Sequence, residues 1–222
     1  MKKAALSARY QRVAGGLFAP VTKADVGNAA DEFASGTVTL LGWADPFYPD
    51  PAIPPHLQQV LHDAVDSGFP AHYTMPIGSL ALRRAVSEKL RRFNGIAADP
   101  QRNILITPGS DSGLYYALSV LLDQGDEVLI PDPSYPNNYL DVQLLGGVPV
   151  PVPLAAQEGY ALDLSAFQRA LTPRTKAVIL THPNNPTTTV FPRTQLAELA
   201  RFIMANGLFL VVDQAFEDSV FD

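Results

Sequence analysis

Cysteine is absent from the sequence. That absence excludes disulfide bridges, thiolate metal sites and cysteine nucleophiles together. A surplus of positive charge is also lacking: 16 lysines and arginines stand against 22 aspartates and glutamates, a net charge of −6. No broad basic surface is therefore expected for nucleic acid or an anionic membrane. Long apolar runs are missing too, since none approaches the ~20 residues of a membrane span. The N-terminus MKKAALSARYQRVAGG begins like a signal peptide, but Arg9 and Arg12 interrupt the segment that would have to be apolar. His56, His62 and His182 lack metal-ligand spacing, so no metal site is expected. Repeats and low-complexity tracts are absent. A soluble cytoplasmic protein is the expectation.

The sequence does contain apolar residues, 47% of the 222, arranged in regular periods after residue 55. Before that, LGWADPFYPDPAIPP (41–55) holds too many prolines for a helix or central strand. The pattern divides the chain into an N-terminal segment, 1–50, and a main domain, 51–222. HLQQVLHDAVDSG places Leu57, Val60, Leu61, Ala64 and Val65 on one helical face, with Gly68 as the stop. SLALRRAVSEKLRRF does the same with Leu82, Val86, Leu90 and Phe93, and its basic residues fall mostly on other faces. Strands and helices then alternate. Strands are predicted at 103–107, 126–131, 148–152, 176–182 and 208–213, with helices between them; the prolines of VPVPV suit an edge strand. The helix after residue 109 reads as largely buried. This alternation predicts an α/β fold, a mostly parallel sheet with helices on both faces.

Ligands of such sheets bind beyond the carboxyl ends of the strands. Four polar turns stand there: PGSDSG (108–113), PDPSYPNNY (131–139), THPNNPTTT (181–189) and DQAF (213–216). PGSDSG opens a helix. Its free N–H groups suit a phosphate, or Ser110 or Asp111 simply caps the helix. It is not a P-loop, because the GK[ST] ending is missing. Tyr135 is either a partly buried tyrosine or a face stacked on a planar ring. HPNNPTT is either a proline-rich turn or an amide aimed at a ligand oxygen. Asp213 either faces water at a strand end or is a buried anion in need of a cation. Taken together, a phosphate cradle, a stacking aromatic, an amide donor and an anion match the parts of pyridoxal phosphate. An aspartate at its pyridine nitrogen keeps that atom protonated and the ring an electron sink.

From about residue 35 to 222 the sequence resembles the fold-type I, class I/II aminotransferases. Five segments carry the resemblance in family order. YTMPIGSLALRRAV (73–86) is similar to the family's Y-x-x-x-x-G-x-x-x-L-R-x-A, and PGSDSGLYYAL to its phosphate turn. PDPSYP resembles the ring-stacking loop, THPNNPTT the N-P-T-G motif, and VVDQAF the D-x-A/I-Y strand end. The resemblance implies that the backbone of Ser110 and Asp111 holds the phosphate and that Tyr135 stacks on the ring. It implies that Asn185 hydrogen-bonds the phenolic oxygen and that Asp213 pairs with the ring nitrogen. Tyr73 would reach the phosphate of a neighbouring subunit, which implies a homodimer, and Gly42 would lie near the substrate carboxylate. The implied substrates are an amino acid and a 2-oxo acid. The alternatives are a lyase or decarboxylase of the same fold, or a non-catalytic aminotransferase-like domain. A Rossmann-like dinucleotide binder ranks last, because no G-x-G-x-x-G follows a strand.

Three departures stand out. Thr188 occupies a position where the family usually has glycine, and Phe216 one where it often has tyrosine. The family's reactive lysine lies downstream of the D-x-A-Y strand, and none of the five lysines here (Lys2, Lys3, Lys23, Lys89, Lys176) is suited to replace it. Lys176 begins a strand whose far end carries the site, roughly 16–20 Å away. No catalytic residue is therefore assigned within the chain. The expectation is that it is incomplete at its C-terminus, a fragment or truncated product that is inactive and unstable alone because sheet edges stay unpaired.

Overall fold

The computed structural model describes residues 53–220. They fall into two compact units divided between Pro108 and Gly109. The predicted boundary near residue 50 lies outside the described residues.

In the unit before Gly109, α1 spans Pro55–Asp66, with proline at its first position, where a missing N–H costs nothing. Gly68, at φ +69°, turns the chain out of it, as the sequence predicts. The apolar face is present but exposed: Leu57, Val60, Leu61 and Val65 all remain accessible. Helix α2 spans Leu80–Lys89, and Ser79 caps it by accepting from the Leu82 N–H at 3.3 Å. It runs into a π-turn over Leu90–Asn94 that ends at Gly95, φ +67°.

The buried residue of α2 is Arg83, not one of the apolar four. Its Nε donates to Gly78 O at 3.1 Å and its Nη1 to Pro100 O. Leu82 and Phe93, predicted to face a core, are exposed. Gly78 is fixed by space and by conformation: at φ +94° a Cβ would stand 2.4 Å from Ile106 Cγ1. Residues 103–107, predicted as a strand, join no ladder among the described residues. Their neighbouring contact is Ile106 N–H to Ile77 O, 3.1 Å. A short apolar run suits an extended segment, but a strand needs a paired edge.

From Gly109 onward the prediction of alternating strands and helices holds. In chain order come α3 (Ser110–Ser119), β1 (Glu127–Asp132), α4 (Pro136–Leu144), β2 (Val148–Pro153), α5 (Leu164–Ala170), β3 (Thr175–Thr181), α6 (Arg193–Ala205) and β4 (Phe209–Asp213). The four strands form one parallel sheet in the order β2-β1-β3-β4. The proline-bearing β2 sits at an edge, as predicted.

Successive side chains of β1 and β3 point to opposite faces, and both faces are covered. Val128, Ile130, Ala177 and Ile179 pack with Leu114 and Leu118 of α3 and Val142 of α4. Leu129, Val178 and Leu180 pack with Phe167 of α5 and Leu199, Phe202 and Ile203 of α6. The rings of Phe167 and Phe202 meet edge to face at 6.3 Å. Helix α3 is shorter and less buried than predicted. Leu114 and Leu118 are its buried residues, while Tyr116 and Val120 are exposed.

Candidate cofactor site at the carboxyl edge of the sheet

The carboxyl ends of β1, β3 and β4 lie at one edge of the sheet because the strands are parallel neighbours. Thr181 pairs with Asp213, and the next N–H, that of His182, donates to Asp213 O at 2.9 Å. The ends of β1 and β3 lead into proline-bearing loops, and Asp132–Pro133, His182–Pro183 and Asn185–Pro186 are cis.

Helix α3 starts at Ser110 behind Gly109, φ +92°. A glycine has no side chain with which to cap. Neither Ser110 nor Asp111 supplies one to the first turn, which removes the capping alternative. The N–H groups of Ser110 and Asp111 meet no acceptor among the described residues. A helix start in this condition carries partial positive charge and two free donors, the chemistry of an anion site.

Tyr135 is the N-cap residue of α4, with Pro136 following at the first helical position. Its Oη donates to Asp111 Oδ2 at 3.5 Å and accepts from Asn137 Nδ2 at 3.3 Å. Those bonds bring two of the expected residues, Asp111 and Tyr135, together. Asp213 ends β4 half-buried, and its Oδ1 accepts from the Ala215 N–H at 3.1 Å. Ser110 and Asp213 both line one open cleft of about 390 Å³, between α3 (Gly113, Ala117) and the end of β4 (Val212, Gln214). Asn185 is half-buried in the loop after β3. Tyr73 is exposed in the other unit, and Gly42 lies outside the described residues. Lys176 lies at the amino end of β3, the end opposite the cleft.

Two buried asparagines brace the loops, and the sequence reasoning passed over both. Asn138, fully buried, donates from Nδ2 to Ser134 Oγ at 2.8 Å and to Thr181 Oγ1 at 3.0 Å, tying α4 to the end of β3. Asn184 donates to Pro133 O at 3.2 Å and Thr187 Oγ1 at 2.8 Å, tying the β3 loop to the β1 loop. The available signal was the tripeptide Pro-Asn-Asn, present in both loops. His182 stacks on Phe191, ring centroids 5.6 Å apart, and burial pushes its pKa down, so the imidazole is neutral at pH 7. Thr188 adopts φ +59°, the left-handed region that glycine occupies without strain.

These features define a parallel α/β protein with an uncapped helix start and a carboxylate in one cleft. That donor set fits a phosphate at one end of a flat ligand and a protonated nitrogen at the other. Comparison with known proteins gives the class a name. The family model "Aminotransferase class I and II" matches residues 38–222. An aromatic-amino-acid aminotransferase 2 of Thermococcus litoralis is 37% identical over 78% of this chain and 44% of its own length. A probable N-succinyldiaminopimelate aminotransferase of Mycobacterium tuberculosis is 38% identical over 79% of this chain and 44% of its own length. Among solved structures, the aspartate aminotransferase of Thermus thermophilus with maleate matches with a TM-score of 0.83 at 32% identity, over 99% of this chain and 56% of that one. The chain thus spans about half the length of the relatives it matches, and it belongs to the class I and II aminotransferase family.

Proposed function

We propose that the protein carrying this chain is a pyridoxal-phosphate-dependent aminotransferase. It moves an amino group between an amino acid and a 2-oxo acid, in the cytoplasm, as a homodimer. The observation that carries this reading is the single cleft lined by Ser110 and Asp213, with the start of α3 left uncapped. When bound, the cofactor supplies an electron sink for the bonds at the substrate Cα.

The N–H groups of Ser110 and Asp111 bind its phosphate. Tyr135 lies against the ring and is oriented by Asn137 and Asp111. The amide of Asn185 donates to the phenolic oxygen. The Asp213 carboxylate holds a proton on the pyridine nitrogen, and its bond from Ala215 fixes the carboxylate orientation. Phe216 has no hydroxyl to give the phenolic oxygen a second hydrogen bond. Tyr73 reaches the phosphate bound by a second copy, and Gly42 approaches the substrate carboxylate.

The test is transamination of a panel of amino acids by the protein as the cell makes it, with Asp213→Ala alongside. The expected result is turnover in the wild type and a fall of about 10²–10³-fold in kcat/KM in the variant, the scale of losing one preorganised charge. A variant as active as the wild type overturns the assignment of Asp213. No pyridoxal phosphate bound to either protein overturns the whole reading.

A further inference from the structure

Helix α4 carries a carboxylate that the proposed function does not use. Asp141 sits one turn after Asn137, and both side chains are turned inward at 7% exposure each. Asn137 Nδ2 donates to Tyr135 Oη, which in turn donates to Asp111 Oδ2, so a chain of contacts runs from α4 to the first turn of α3. Among the described residues, Asp141 Oδ2 and Asn137 Oδ1 are both buried without a hydrogen-bond partner. A buried carboxylate with no donor and no cation is costly when ionised. Burial first, and the charge of Asp111 second, push the Asp141 carboxyl up to about 6.

Among the described residues, α3, β1 and β2 pack against α4. Their charged and titratable side chains are Asp111, Tyr115 and Tyr116 on α3 and Glu127 and Asp132 on β1, with none on β2. Glu127 stands at the amino end of β1, bonded to Thr172 and Arg174. Asp132 accepts from Tyr139 of α4 itself at 2.9 Å. Among the described residues, Asp111 is thus the charge that acts on Asp141, with no cation beside it.

We propose that Asp141 is a positioning residue of the phosphate turn: ionised, its charge opposes an anion held at the Ser110 and Asp111 N–H groups on the helix packed against α4, and protonated, it removes that opposition. The inference rests on the cofactor reading above. By reciprocity, an anion bound there favours the proton on Asp141, and the proton favours the anion. Phosphate affinity therefore falls as pH rises through the titration of Asp141.

The experiment compares wild type with Asp141→Asn for binding of pyridoxal phosphate and of pyridoxal, between about pH 5 and pH 8. The protein is used as the cell makes it. The expected result is about three- to tenfold tighter binding of pyridoxal phosphate by D141N at the alkaline end, closing toward the acid end. The phosphate's own titration is common to both proteins and cancels in their ratio. Pyridoxal, which lacks the phosphate, is expected to bind both alike. A ratio flat across pH, or an equal effect on pyridoxal, overturns the inference while leaving the cofactor reading intact. Absence of binding by both compounds to both proteins overturns the two together. Should D141N fail to fold, Asp111→Asn serves instead. Removing one of the two causes that raise the Asp141 carboxyl moves the fall in affinity to lower pH, and an unmoved profile overturns the inference.

Discussion

Thr188 holds a β-branched side chain on a backbone that glycine adopts without strain. A β-branched residue at φ +59° crowds its own Cβ against the neighbouring carbonyl, at a cost of about 1–2 kcal/mol. Glycine removes that crowding but gives back some of the gain through its freer unfolded chain, about 0.5–1 kcal/mol. Thr188→Gly is therefore expected to stabilise the protein by roughly 0.5–1 kcal/mol. Thr188→Ala, which keeps the Cβ, gains little. Paired urea unfolding curves check this, and equal stability of the two variants contradicts it. The departure at Thr188 was legible in the sequence as a missing glycine. The roles of Asn138 and Asn184 were not, because their partners Thr181 and Pro133 stand 43 and 51 residues away. A side chain's bonding to distant residues is set by the fold, and composition carries no trace of it. Asp141 escaped notice for the same reason: on a helix of unremarkable pattern, only packing reveals a buried carboxylate oxygen left without a donor.

Secondary structure was easier to read where an element's own period decided its fate. The near-continuous apolar runs of β1 and β3 predict burial on both faces, and both faces are covered. Where the outcome depended on a neighbour, the period misled. Residues 103–107 have the apolar run of a strand but no ladder among the described residues, and α1 has an apolar face that stays exposed. In α2 the basic residues read as a solvated face, yet Arg83 is the buried one. Its guanidinium is satisfied by Gly78 O and Pro100 O, one on each side of the helix in sequence. The planar fork spans the two carbonyls as a single ammonium cannot. Arg83→Met, which keeps the stem, leaves both carbonyls without this donor and is expected to cost about 1.5–3 kcal/mol. Arg83→Lys is expected to recover less than half of that. Chemical denaturation of the three proteins decides it; a lysine variant as stable as wild type would show that the charge matters and the fork does not.

At the scale of the molecule, the sheet separates what holds the fold from what holds the ligand. Phe167 packs under one face, with Leu129, Val178 and Phe202. Helix α3, whose first turn belongs to the candidate site, packs on the other, with Val128, Ile130 and Ile179. Ligand binding stabilises the native state by RT ln(1 + [L]/Kd), about 2.7 kcal/mol at a hundred times Kd. A core substitution lowers the starting stability without touching that increment, provided it does not disturb the site. Phe167→Leu is therefore expected to lose about 1–2 kcal/mol in the ligand-free protein. It should still gain as much as wild type from saturating pyridoxal phosphate. Asp213→Ala should behave in the opposite way. Its side chain is half-buried at the end of β4, so the ligand-free loss is small, whereas the increment from the cofactor shrinks with the weakened contact at the ring nitrogen. Thermal unfolding of the three proteins, each with and without the cofactor, yields both quantities at once. A reduced increment in Phe167→Leu would mean that the two faces of the sheet are energetically coupled. An undiminished increment in Asp213→Ala would remove Asp213 from the cofactor site, whatever its place at the cleft.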